Sequence, residues 1–189
     1  MYYAGIGSRT TPAEILSLMK KIARRAAEQS WTLRSGAAPG ADTAFEIGAD
    51  AARGEKEIYL PFENYRGRST REKGVFVPKM LGNYQQAVKL ADKYHPDFSS
   101  LDDYQEHIIR DGYQVLGQDL NTPVKLVICW TEDGCLSHQD RTALTGGTGQ
   151  AISLASDRNV PIYNLKLAAH REKLISWLEE KFSLTELID

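Results

Sequence analysis

The chain has 189 residues, 42 % hydrophobic and 25 % charged, which is length and apolar content enough for one buried core and one domain over residues 1–189. Its formal net charge of -2 excludes a global electrostatic pull toward nucleic acid or an anionic membrane, so a polyanion would have to be held by a local basic cluster. Cys129 and Cys135 are too few for a disulfide framework or a zinc site. With no leader pattern and no run of about 20 apolar residues, the expectation is a cytoplasmic protein without metal, cofactor or membrane contact.

Residues 2–6 form a short apolar run that ends in Gly5, Gly7 and Ser8, as a buried strand does when it turns sharply at its C-terminal end. Thr11, Pro12 and Glu14 then supply an N-cap, a first-turn proline and a capping-box acid. Ile15, Leu18, Met19, Ile22, Ala23 and Ala26 follow at helical spacing. Residues 31–34 read as a second strand, and Ala41, Ala44, Phe45, Gly48, Ala49 and Ala52 as a helix whose small residues lie close against the sheet. Residues 57–60 make a third strand, stopped by Pro61, so the order is βαβαβ and the sheet parallel.

Residues 62–82 are polar and irregular and read as a loop. With the helical pattern at Tyr84, Ala87, Val88 and Ala91 they form a mainly helical and loop insertion over residues 62–100. A second helical pattern runs from Leu101 through Ile108 to Leu116 and carries Arg110. Residues 124–130 are nearly all apolar, as in a central parallel strand covered on both faces. The glycine turn at residues 145–149, a helix with Ala151, Ile152 and Ala155, a strand at residues 161–165 and a closing helix with Leu174, Ile175, Leu178 and Phe182 complete a Rossmann-like α/β sheet with helices on both faces.

Three glycine-bearing turns fall at strand-to-helix junctions. They are Gly5-Ile6-Gly7-Ser8-Arg9, Ser35-Gly36-Ala37-Ala38-Pro39-Gly40-Ala41-Asp42 and Thr145-Gly146-Gly147-Thr148-Gly149-Gln150. In a parallel sheet such junctions share one edge, where backbone N–H groups and helix N-termini carrying about half a unit of positive charge suit a phosphate. None is a Walker loop, and the first lacks G-x-G-x-x-G, which weakens P-loop ATPase and NAD dehydrogenase readings.

Arg9 and Arg110 are candidate phosphate clamps, against a solvated helix-entry arginine for Arg9 and a salt bridge to Asp111 for Arg110. Asp42 is a candidate ribose contact or a helix-dipole partner, and Trp130 and Thr131 are candidate pocket walls, the indole stacking on a base or packing in the core. Tyr65, Arg66, Tyr94 and His95 are placed as a lip over the ligand.

The blocks GIGSRTTP, RSGAAPGADTAFEIGA and TGGTGQAISLA with VPIYNL, together with the helix HIIRDGYQVLG, resemble the SLOG superfamily, which includes the DprA-type DNA-processing proteins and the LOG-type nucleotide phosphoribohydrolases. The resemblance implies a nucleotide or nucleotide-derived ligand on these loops and a tendency to homo-oligomerise. Trp177, Leu178, Phe182, Tyr94 and Phe98 are the residues expected to supply an apolar dimer face. The hydrolase motif of LOG-type members departs here at Thr145, Gln150 and Ser153, the last standing where their glutamate belongs, and Asp111 replaces a lysine.

The expectation that follows is binding without turnover of a phosphorylated nucleotide, such as an NAD- or ADP-ribose-derived or cyclic nucleotide, in the manner of a stand-alone protein that sequesters an antiphage signal. A LOG-like N-glycosidase using Glu46, Asp42 or Asp140 is the second reading. DprA-like single-stranded DNA binding through Arg66, Arg68, Arg71 and Lys73 is the third, nucleic acid being the less expected partner.

Overall fold

The computed structural model of the chain describes residues 1–179 together with Leu187. Strands β1 (Tyr2–Gly5), β2 (Thr32–Ser35), β3 (Lys56–Tyr59), β4 (Val75–Phe76), β5 (Val127–Cys129) and β6 (Ile162–Asn164) form one sheet in the order β4-β3-β2-β1-β5-β6. Every pairing is parallel. The sheet grows outward from β1 in one direction through β2, β3 and β4, then returns to lay β5 against the other side of β1. The C-terminal ends of β1 and β5 therefore diverge at a topological switch point, the place where open α/β sheets leave a crevice.

Period-two alternation along each strand divides the core. Tyr3, Leu33, Leu126 and Ile128 face one side, where they pack with α1 (Ala13–Glu28), α2 (Ala41–Ala51) and α6 (Ala168–Leu178). Ala4, Tyr59, Val127 and Cys129 face the other, under α3 (Tyr84–Tyr94), α4 (Gln105–Leu116) and α5 (Thr148–Asp157). Among the described residues no helix is long and apolar enough to cross a membrane.

The structure corrects several sequence expectations. Thr11 does not cap α1: its hydroxyl donates to the Ser8 carbonyl at 2.7 Å, and Pro12 stands at the cap position without a side-chain bond. The small-residue stripe of α2 serves helix against helix as well as helix against sheet, since a Cβ on Gly48 would lie 2.2 Å from the Lys20 carbonyl oxygen of α1. Residues 62–82, expected to be loop, include a strand, and residues 62–100 are built into the sheet and core. They contribute β4 to the sheet edge, with Ile58 N–H donating to Gly74 O and Leu60 N–H to Phe76 O, and Ala87, Ala91, Tyr94 and Phe98 to the core. Because Tyr94, Phe98 and Trp177 are buried inside the chain, the apolar face expected for a dimer loses those residues; Phe182 lies outside the described residues.

Candidate functional site

A cavity of about 170 Å³ opens at the switch point. The first turn brings Ile6, Gly7, Ser8 and Arg9 to it, the second brings Ala38 and Asp42, and the third brings Thr145, Gly146, Gly147 and Thr148. Most of the remaining wall is one face of α4 with the residue before it: Tyr104, His107, Ile108, Arg110, Asp111 and Gln114 recur at helical spacing and all line the cavity, with Tyr65, Leu144 and Ala151 completing it.

The turns are braced against one another. Gly40 has φ +83°, and a Cβ there would stand 2.7 Å from the Ser8 carbonyl oxygen, so glycine alone lets the second turn lie on the first. The hydroxyl of Ser35 is buried and donates to the Gly5 carbonyl at 2.6 Å, tying the ends of β2 and β1 together. Asp133 holds the third turn: Thr142 donates to it at 2.7 Å and Thr145 donates to it as well, and these bonds help to hold the Asp133 carboxyl down at about 2 against the burial that opposes them. A Cβ on Gly149 would collide with the guanidinium of Arg141, which donates to the Tyr94 carbonyl at 2.6 Å.

Arg110 is the centre of the cavity floor and is only 6 % exposed. Its Nη1 donates to the Gly36 carbonyl, its Nη2 lies 3.9 Å from Asp42, and its Nε lies 3.7 Å from Asp111. Gly36 leaves room for this contact, for a Cβ would fall 2.2 Å from Gln114 Nε2 and 2.7 Å from Arg110 Cζ and push those side chains aside. Burial raises the Asp42 carboxyl to about 6, with Arg110 and the Ala38 N–H opposing it, and raises Asp111 to about 8, again against Arg110. The floor thus pairs one permanent cation with two reluctant acids.

The mouth carries the cation left free. Arg9 is exposed and, among the described residues, has no ion-pair partner. Beside it stands an aromatic wall in which Tyr104 and His107 stack at 4.7 Å and 9°, with Tyr65 edge-on to His107 at 5.6 Å. Burial, reinforced by Arg110 and Arg9, lowers His107 to about 4, so the stacked imidazole is neutral at neutral pH.

Of the residues singled out from sequence, Gly7, Ser8, Arg9, Asp42, Tyr65, Arg110, Gly146, Gly147 and Thr148 meet at the cavity, whereas Arg66, Tyr94 and His95, expected in the lip with Tyr65, do not line it. Ser35, Gly36, Gly40, Ala41 and Gly149 sit behind it as braces or packing, and Ala37 packs with Ile58 and Leu60. Trp130 and Thr131 do not line it: the indole is core, and the Thr131 hydroxyl, fully buried, accepts from Asn164 Nδ2 at 2.7 Å. Gln150 is turned away and donates to the Leu90 carbonyl at 3.2 Å. Tyr104, His107, Asp111 and Gln114 line the cavity beyond the sequence expectation, although the polar stripe His107, Arg110, Asp111, Gln114 at spacings of three and four is a legible signal.

The other candidates disperse. Glu46 is committed to Arg68 and Lys56 at 2.6 and 3.4 Å, and Asp140 accepts from Ser137 on the surface. In the basic segment Arg68 is paired with Glu46 and Glu72, Lys73 with Glu55, and Arg66 donates to the Ala37 carbonyl, which leaves no continuous basic track. Ser153, at the position of the hydrolase acid, is fully buried and donates to the Gly149 carbonyl at 2.8 Å. No protein-family model, curated protein or solved structure matches the chain.

Proposed function

We propose that the protein binds a phosphorylated nucleotide at the switch-point crevice and holds it without turnover. The carrying observation is that three glycine-bearing turns, the N-terminus of α5 and Arg9, which has no ion-pair partner among the described residues, converge on one cavity. Phosphate is the group that suits them, because it accepts several backbone N–H bonds at once and is favoured by a helix N-terminus and a free guanidinium. The Tyr104 and His107 wall beside the turns offers a flat, uncharged surface for a base. The likeness of the three turns to the SLOG superfamily supports the same class of ligand.

The test is retention. The protein is incubated with nucleoside monophosphates, NAD, ADP-ribose and cyclic nucleotides, then separated from free ligand and denatured. Intact nucleotide released only by denaturation supports the reading; an empty panel removes it. One observation favours a second reading, N-glycosidic hydrolysis: Asp42 and Asp111 are two carboxyl groups on the cavity floor, one poised at about 6 and the other at about 8. Free base in the same incubation selects it.

A further inference from the structure

The floor of the crevice sets two acids against one cation. Asp42 and Asp111 are both buried and both line the cavity, with the guanidinium of Arg110 between them. That group is divided three ways: Nη1 donates to the Gly36 carbonyl, while Nη2 and Nε stand 3.9 Å from Asp42 and 3.7 Å from Asp111, longer than hydrogen bonds. With both carboxyls ionised the floor carries a net negative charge, and an anion enters the cavity against it.

The groups around this trio leave the surplus in place. Arg9 faces the cavity from the first turn but is exposed at its mouth, and Asp42, on the second turn, accepts from the Ala38 N–H at 3.2 Å. Arg141 faces Asp111 from the segment before the third turn, and its Nη1 donates to the Tyr94 carbonyl. His107, on the same helix as Asp111, is uncharged at neutral pH. From α5 only Thr148 and Ala151 line the cavity, neither ionisable, and α3 lines no part of it. Burial raises Asp111 to about 8 against the pull of Arg110, with Asp42 adding to the rise and Arg141 opposing it.

In a cavity of about 170 Å³, a phosphate on the turns stands within roughly 7 Å of these carboxyls. Two like charges so spaced, at an effective dielectric constant of about 20, repel enough to raise a carboxyl by about one to two further pH units. The repulsion is relieved when a proton passes from solvent to a carboxylate oxygen of Asp111, which returns the floor to neutrality.

We propose that anion binding in the crevice is proton-coupled: Asp111 must carry a proton whenever a phosphate is held, so the ligand is retained at neutral pH and released as the medium turns alkaline. This rests on the nucleotide reading above and deepens it by naming how the site is regulated. The sign follows from linkage. Below about 8 the free protein already holds the proton, and above that value binding must draw it from solvent, so affinity falls as pH rises.

The experiment is calorimetric titration of the intact chain, between pH 7.5 and pH 9, with nucleoside monophosphates, NAD, ADP-ribose and cyclic nucleotides. Across that range their phosphates stay ionised, since even a monophosphate has its second pKa near about 6, so a proton taken up belongs to the protein. At pH 8, comparison of the heats in Tris and in HEPES should report uptake of about half a proton per ligand, and affinity should fall about 4- to 8-fold from pH 7.5 to pH 9. Asp111→Asn, with Asp111→Ser as a second replacement, should abolish both effects, circular dichroism confirming the fold of each. Binding without proton uptake and with level affinity overturns the coupling and leaves nucleotide binding standing. Uptake and slope that persist in both variants overturn its assignment to Asp111. No binding by any probe overturns the coupling and, with an empty retention panel, the nucleotide reading too.

Discussion

Arg110 donates from Nη1 to the carbonyl of Gly36, and the Cβ that Gly36 lacks would stand 2.7 Å from the guanidinium carbon. The end of β2 and the middle of α4 are thus keyed together at the base of the crevice. Gly36→Ala should displace Arg110 and Gln114, lower stability by about 1–3 kcal/mol and abolish retention of the nucleotide. Thermal denaturation together with the retention panel checks this; an alanine variant that keeps both stability and ligand shows that the key has slack.

The two arginines of the crevice should separate under mutation. Arg9→Ala removes an exposed cation that has no ion-pair partner among the described residues, and should weaken nucleotide affinity by about 1.5–3 kcal/mol with no change in melting temperature. Arg110→Ala strips the partner from two buried carboxyls and should cost about 3–5 kcal/mol of stability. Titration and thermal scans of the pair are the measurement, and matching effects of the two substitutions on stability contradict the assignment.

Asp111 carries a pH signature. An aspartate in the unfolded chain ionises near about 3.9, whereas burial raises Asp111 in the fold to about 8. Between those values the folded state holds a proton that the unfolded chain has released, so this group's stabilising contribution falls as pH rises from about 4 to about 8 and levels off above. Asp42, raised to about 6, acts in the same direction over the lower part of that window. Asp111→Asn should therefore gain on the parent protein as pH increases from 5 to 8. A difference in melting temperature that stays constant across the range excludes the effect.

Two helix glycines should behave in opposite ways. Gly48→Ala in α2 drives a Cβ to 2.2 Å from the backbone oxygen of Lys20, which cannot yield without parting α1 from α2, and should destabilise by about 1–3 kcal/mol. Gly112→Ala in α4 meets nothing nearer than 3.9 Å, from the end of Leu120, and should raise stability by up to about 1 kcal/mol through helix propensity. Urea unfolding of both variants reads the contrast in sign.

The sequence alone determined the class of fold, because the alternation of short apolar runs with 3.6-period segments is set by local geometry, and because strand-glycine-helix junctions in a parallel sheet must share an edge. It therefore reached Ser8, Arg9 and the Gly146, Gly147 and Thr148 turn. It did not reach β4, since two residues carry no periodicity and Val75–Phe76 becomes a strand only through the hydrogen-bond edge that β3 offers. Nor did it decide which way side chains at the sheet edge turn: Trp130 and Thr131 end a strand beside the crevice yet point into the core and toward Asn164. The tertiary structure alone decided the floor, where Arg110, along the chain either a phosphate clamp or a salt-bridge partner of Asp111, also meets an aspartate 68 positions away at 3.9 Å. Charge compensation and burial depend on what distant segments bring together, and no local pattern encodes that.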